Sequence, residues 1–119
     1  MTISDFKALV NSVLADSQGS PALAKAITVA TKADGTVWVY CNGSGVAFPP
    51  DFSPRLAAVA SAMAELFEEY LAAHGQSNWP RCPLHPDTHP LDARDDSGIS
   101  LWVCPTSGAA VAEIGHLTD

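Results

Sequence analysis

The chain contains 119 residues, of which 47% are hydrophobic, and it carries a formal net charge of −7. A chain of this length buries roughly two-thirds of its unfolded surface, which suffices for one compact domain or a domain with a small appendage. Residues 1–78 hold seven acids and four bases, a balance of −3, and residues 79–119 hold six acids and two bases, a balance of −4. Neither part carries the lysine and arginine stripe that neutralises phosphates, so the composition argues against nucleic-acid binding and favours protein partners.

The N-terminal sequence has no basic segment followed by an apolar run, and no apolar stretch of about 18 residues occurs in the chain. These features predict a cytoplasmic protein without a membrane segment or an export signal. The three cysteines are expected to be reduced, because an odd number of cysteines without export argues against a disulfide framework.

The first predicted element is a helix over residues 3–17. Residues 2–5 fit a capping box, and apolar residues then recur at helical spacing until Gly19.

A three-stranded antiparallel meander is predicted next. Hydrophobicity alternates with a period of two in residues 27–31 and again in residues 37–41. Asp34 and Gly35 lie between these segments and suit a two-residue hairpin turn with positive φ. Residues 46–48 predict a short third strand that ends before two prolines.

The most regular helical pattern follows the meander. Ser53 is the expected N-cap, Pro54 the first helical residue, and Gly75 the C-terminal cap. One apolar stripe defines the buried face of this helix: Leu56, Val59, Ala60, Met63, Leu66, Phe67, Tyr70 and Leu71.

These patterns divide the chain into two predicted units. Residues 1–75 form an α-β-β-β-α domain in which both helices cover one face of the sheet, and residues 76–119 form a small antiparallel β unit. The expected fold class is α+β.

Two cysteine–proline turns carry the chemistry of the second unit. The segment "RCPLHPDTHPL", residues 81–91, places His85 three positions after Cys82, and the segment "WVCPTSG", residues 102–108, contains Cys104. A C-x2-H spacing on a tight turn lets both side chains point at one metal ion.

At these residues the chain resembles the zinc-ribbon superfamily, in which two C-P-x-C knuckles on adjacent hairpins hold one zinc ion. The resemblance covers about residues 79–117. His85 stands where the first knuckle has its second cysteine, and Ser107 stands where the second knuckle has its own. A histidine is a good zinc ligand and a serine hydroxyl is a poor one, so the fourth ligand must come from elsewhere.

His89 is the preferred fourth ligand, because it lies four residues after His85 in the same proline-rich loop. His116 follows Cys104 at a distance that an extended strand would make roughly 25–35 Å. His74 ends the long helix and would need a chain reversal. Cys41 belongs to the meander and is expected to pack in its core.

The expected role of the zinc ion is structural. The chain lacks the sequence patterns of zinc deaminases and zinc proteases. A unit of some forty residues also needs an additional stabilising element, such as a bound metal ion, in order to fold. A small apolar core is expected to pack beside the ion: Trp79, Leu91, Ile99, Leu101, Trp102, Val111 and Ile114. Trp79 and Trp102 could alternatively face a partner.

The expected function is a non-enzymatic, zinc-stabilised protein-interaction module or a small subunit of a larger assembly, such as a virus or phage particle, including assembly as a homo-oligomer. One alternative is an enzyme in which three protein ligands leave a zinc position open to water. The other alternative is a nucleic-acid-binding zinc ribbon, which the acidic balance of residues 79–119 disfavours.

Overall fold

The computed structural model describes residues 3–16, 21–51, 55–75, 78–85 and 88–117. Its element order confirms the α+β class: a helix, a three-stranded antiparallel sheet, a long helix and a second three-stranded antiparallel sheet. The described elements are α1 (Ile3–Leu14), α2 (Pro21–Ala26), β1 (Ile27–Thr31), β2 (Val37–Cys41), β3 (Ser44–Phe48), α3 (Leu56–Ala73), β4 (Asp92–Asp96), β5 (Ile99–Val103) and β6 (Ala110–Glu113).

The first sheet has the strand order β1-β2-β3. Helix α3 packs against β2 and β3, α2 packs against β2, and α1 packs against α3. Along β2, Val37, Val39 and Cys41 are buried, because side chains alternate between the two faces of a strand. Phe48 pairs with Val37 in the sheet, and its ring centroid lies 4.8 Å from that of Phe6 on α1. The prediction that Cys41 packs in this core is confirmed.

The turn between β1 and β2 is longer than predicted. The Gly35 amide donates to the Lys32 carbonyl, and the Lys32 amide donates to the Thr36 carbonyl, so three residues form the loop. Only Gly35 has positive φ there, at +88°, as in a type I turn followed by a left-handed residue. Asp34 instead accepts hydrogen bonds from the amide and hydroxyl of Thr36, which lower the pKa of its carboxyl group.

The helices differ from the predictions at their ends. Helix α1 ends at Leu14 rather than at residue 17, and the short helix α2 was not predicted. Helix α3 begins at Leu56, after an extended Arg55, and the predicted cap at Ser53 and Pro54 lies outside the described residues.

The caps predicted at Thr2 and at Gly19 also lie outside the described residues. The C-terminal end of α3 is as expected, because Gly75 follows the helix with φ of +70° and its amide donates to the Ala72 carbonyl.

The second sheet has the order β4-β5-β6. The acidic segment at residues 92–96 is the edge strand β4: its backbone pairs with β5, and its carboxylates remain exposed. Ile99, predicted in the core, is 47% exposed at the start of β5. It lies next to the turn that joins β4 to β5 and pairs with Asp96.

One buried cluster joins the two parts of the chain. The Trp79 ring lies between Phe67 of α3 and Trp102 of β5, with centroid distances of 5.1 and 5.8 Å. Both tryptophans are buried, as expected, at 8% and 0% exposure. Their rings therefore connect the long helix to the second sheet.

Asp16, which follows α1, connects the end of that helix to the second sheet through hydrogen bonds. Its carboxylate, fully buried, accepts hydrogen bonds from Trp102 Nε1 at 2.7 Å, from the Gly115 amide at 2.6 Å and from the Leu117 amide at 2.9 Å. Its backbone carbonyl accepts one from Trp79 Nε1 at 3.1 Å. The energetic cost of burying the Asp16 carboxylate is offset by the several N–H groups that donate hydrogen bonds to it.

Within the described part of the chain, no helix has the length and apolar character needed to cross a lipid bilayer.

Candidate metal centre

The first turn of the site is held by backbone hydrogen bonds. The Leu91 amide donates to the Pro80 carbonyl at 2.8 Å and closes the loop that contains both histidines. Inside this loop, the His85 amide donates to the Cys82 carbonyl at 3.1 Å. This tight turn brings the side chains of Cys82 and His85 together, as their spacing predicts.

The second turn follows β5 directly. The Cys104 amide donates to the Ala109 carbonyl at 2.9 Å, and the Gly108 amide donates to the Cys104 carbonyl at 2.8 Å. Gly108 has φ of +76°, a conformation that favours glycine. The turn fixes Cys104 directly after β5, whose last two residues, Trp102 and Val103, are buried.

The structure brings together all four predicted ligands. One ligand atom from each of Cys82, His85, His89 and Cys104 lies within 4.8 Å of the other three. Both sulfur atoms belong to fully buried cysteines, while the two histidines are half-buried. This Cys2His2 cluster could hold a metal ion.

The spacing within the cluster fits four ligands around one ion. His85 Nδ1 lies 3.2 Å from His89 Nε2, 3.6 Å from Cys104 Sγ and 3.9 Å from Cys82 Sγ. Tetrahedral coordination with ordinary zinc bond lengths separates two nitrogens by about 3.3 Å and a nitrogen from a sulfur by about 3.6 Å. The three distances from His85 Nδ1 are therefore close to those of tetrahedral coordination, and all four ligand atoms lie within 4.8 Å of one another.

The orientation of His89 suits a metal ligand. Its Nδ1 lies 3.0 Å from the Pro90 carbonyl and donates a proton to it, which leaves the lone pair on Nε2 facing the cluster. A carbonyl partner of this kind fixes the tautomer and ring orientation of metal-binding histidines. The Thr106 hydroxyl lies 3.2 Å from Nε2 and donates a hydrogen bond to that lone pair. Binding of a metal ion to Nε2 would replace this hydrogen bond.

Hydrogen bonds around Cys104 favour the thiolate form of its side chain. Hydrogen bonds from the hydroxyl and the backbone amide of Ser107 lower the pKa of its thiol from 9.0 to about 6, and hydrogen bonds from Thr106 and Cys82 act in the same direction. The thiolate is the form that binds metal ions. Ser107 therefore supports the site without being one of its four ligands.

The other candidate ligands lie elsewhere among the described residues. Cys41 is buried in the first sheet, where burial raises the pKa of its thiol. His74 Nδ1 lies 2.9 Å from the Tyr70 carbonyl at the end of α3. His116 is exposed and its Nε2 lies 3.9 Å from a Glu113 carboxylate oxygen.

Sequence reasoning missed the supporting roles of Ser107 and Thr106. Ser107 was noticed only as a missing cysteine, although its position three residues after Cys104 is the signal for a hydrogen bond to the sulfur across a turn. Thr106 had no such signal, because its contact with His89 joins two turns that are distant in the chain.

The fold and the site together define a small α+β protein with a Cys2His2 cluster on two turns. No protein-family model matches the chain, and no curated protein or solved structure matches it either. The zinc-ribbon resemblance therefore stays a prediction that depends on the two cysteine–proline turns.

Proposed function

We propose that this chain is a zinc-stabilised protein-interaction module, or a small subunit of a larger assembly, in which the metal has a structural role. The observation that carries the proposal is the Cys2His2 cluster with all four ligand atoms within 4.8 Å of one another. Two thiolates and two imidazoles are a donor set that zinc prefers, whereas calcium and magnesium prefer oxygen ligands.

A structural rather than catalytic role is supported by the number of protein ligands. Structural zinc sites have four protein ligands, while catalytic sites leave a position for water. The four candidate ligands also do not line the 410 Å³ groove of the protein, so that groove does not offer a substrate access to the ion.

The energetic need for the metal also supports this role. Strand β4 is largely exposed along its length, and Ile99 of β5 adds little to the core. A structural zinc ion supplies on the order of 10–16 kcal/mol of apparent binding free energy, a contribution that small units commonly need in order to fold.

An interaction role agrees with the acidic composition, and a reducing compartment such as the cytoplasm would keep the metal-binding cysteines as thiols. The three cysteines are free rather than paired in disulfides.

The experiment that tests the proposal is elemental analysis of protein purified without chelator, together with native mass spectrometry. We expect one zinc ion per chain and its loss in the Cys82→Ser variant, with Cys41→Ser as a control that keeps the metal. Protein that contains no zinc, or that retains it equally in both variants, contradicts the proposed site.

A further inference from the structure

A groove of about 410 Å³ lies between α3 and the segment that leads into β4. Its helical wall consists of one stripe that includes Ser61, Ala64, Glu65 and Glu68. The stripe extends over residues 61–72, which corresponds to about 16 Å along the helix axis. An extended peptide of about five residues has the same length.

The floor of the groove is apolar. Trp79, Leu91 and Trp102 line it. Trp79 and Leu91 are 8% and 3% exposed and Trp102 is fully buried, so a bound segment meets the exposed edges of Trp79 and Leu91. Ala64 and Ala93, which face the groove from α3 and from β4, are small residues that leave room for a bound side chain.

The rim of the groove is acidic. Glu65 and Glu68 are both exposed, and neither forms an ion pair with a cation among the described residues. Asp92 also lines the groove, and its carboxylate lies 3.8 Å from Arg94 Nη2. The residues that line the groove include no lysine and no arginine.

The wall opposite the helix belongs to an edge strand. Strand β4 pairs with β5 on one side, so half of its backbone N–H and C=O groups have no strand partner. A peptide can hydrogen-bond to such an edge, which a small cation cannot do.

From these features we propose that the groove binds a short extended segment of a protein partner in which basic residues alternate with apolar ones. Side chains two residues apart in an extended segment are separated by about 6.6 Å. Positions i and i+3 on a helix are separated by about 5–6 Å between Cβ atoms. Two lysines in a Lys-x-Lys arrangement can therefore reach Glu65 and Glu68, while the intervening apolar residue faces the floor.

This inference rests on the interaction role proposed above, and it links that role to the metal. Pro90 and Leu91 follow the ligand His89 directly, and Trp102 lies two residues before the ligand Cys104. Since these residues form one side of the groove, removal of the metal is expected to abolish peptide binding.

The test uses the zinc-loaded full chain and the probe peptide acetyl-Lys-Leu-Lys-Leu-Lys-amide, with affinity measured by NMR titration. We expect saturable shifts of the Ala64, Asn78 and Ala93 amides. A peptide with glutamate in place of lysine should not bind. A peptide with glycine in place of leucine should bind at least fivefold more weakly, because it lacks the apolar contact.

Substitutions on α3 provide a matched comparison. Glu65→Gln and Glu68→Gln should each weaken binding about two- to fivefold, the range of an exposed ion pair. Glu69→Gln removes the same charge from the same helix outside the groove and should change affinity less than 1.5-fold. Ala64→Gln, which fills the groove without changing the charge, should weaken binding more than fivefold.

Equal effects of Glu68→Gln and Glu69→Gln, or shifts spread over the whole acidic surface, would show a general electrostatic attraction and overturn the groove proposal. A chain that holds zinc but does not bind the peptide overturns the groove alone. A chain that binds the peptide without holding zinc supports the groove and overturns the zinc-dependent function.

Discussion

The two sheets of this protein are stabilised in different ways. The first sheet buries alternate apolar residues of β2 under two helices, so its stability comes from apolar surface removed from water. The second sheet has an edge strand whose side chains are mostly exposed, and its turns carry the four candidate metal ligands. The comparison shows how a short chain can add a second sheet without a second large core.

The two sheets are connected through α3, which packs against β4 and β5, and through Asp16. Trp79 and Trp102 share ring contacts with each other, and both donate a hydrogen bond to Asp16 at the end of α1. The second sheet therefore has the candidate metal ligands beside it and a buried carboxylate, Asp16, that links it to the end of α1.

Metal removal is expected to have the largest effect and to separate the two regions. A chelator should abolish amide protection across residues 79–117 and leave α1, α3 and the first sheet protected, because most members of the shared apolar core belong to residues 6–71. Hydrogen exchange measured by mass spectrometry tests this, with zinc addition as the reversal control. Uniform loss of protection along the chain would show that the shared tryptophan contacts make one cooperative unit.

The His89→Ala substitution should weaken zinc retention by more than 100-fold, because it removes a bond and opens the tetrahedral shell. Substitution of residues that only support metal ligands typically lowers metal affinity 10- to 100-fold, so loss of a ligand itself should lower it by more. Competition with a chromophoric chelator measures the affinity. The matched control His116→Ala, an exposed histidine outside the cluster, should change it less than twofold.

The Asp16→Asn substitution should lower the free energy of unfolding by about 2–4 kcal/mol. An asparagine offers one acceptor oxygen where the carboxylate has two, and its amide group would face backbone donors, so buried N–H groups lose their partners. Chemical denaturation of the zinc-loaded protein measures the change. Asp51→Asn, at an exposed position of the first region, is the control, and a similar effect of the two substitutions would contradict the role of Asp16.

The smallest expected effect is a shift in the pH at which the metal is released. Because hydrogen bonds from Ser107 lower the pKa of Cys104 to about 6, the thiolate persists well below its ordinary pKa of 9.0. Its stabilising effect is complete above pH 9 and disappears as the pH falls through about 6. Ser107→Ala should raise this pKa, so zinc should be released at a higher pH than in the original chain.

A zinc titration across pH 5 to 8 measures that shift, and Ser44→Ala in β3 provides a control far from the cluster. Identical release curves for both variants and the original chain would show that Ser107 does not tune the thiolate.

Local patterns predicted the elements well. The stripe from Leu56 to Leu71 is helical because its period is local to the chain, and the alternation in β2 buries Val39 and leaves its neighbours half-buried for the same reason. The turn at Gly35 was placed correctly but given the wrong length, because one left-handed glycine fits more than one loop type.

The burial of residues near the ends of helices and strands was harder to predict from the sequence. Ile99 has the hydrophobicity of a core residue, yet it lies beside the turn between β4 and β5 and is 47% exposed. Asp16 reads as an ordinary surface residue after an amphipathic helix, and only its distant partners make it a buried acceptor.

The sequence by itself determined the α+β class, the main strands and the identity of the four candidate ligands, because periodicity, cysteine–proline turns and a C-x2-H spacing are properties of short segments. Tertiary structure decided which helix the second sheet packs on, how Asp16 joins α1 to Trp102, and where the acidic groove opens beside α3. These features depend on contacts between residues as far as 101 positions apart, and no local pattern encodes which apolar surfaces will meet.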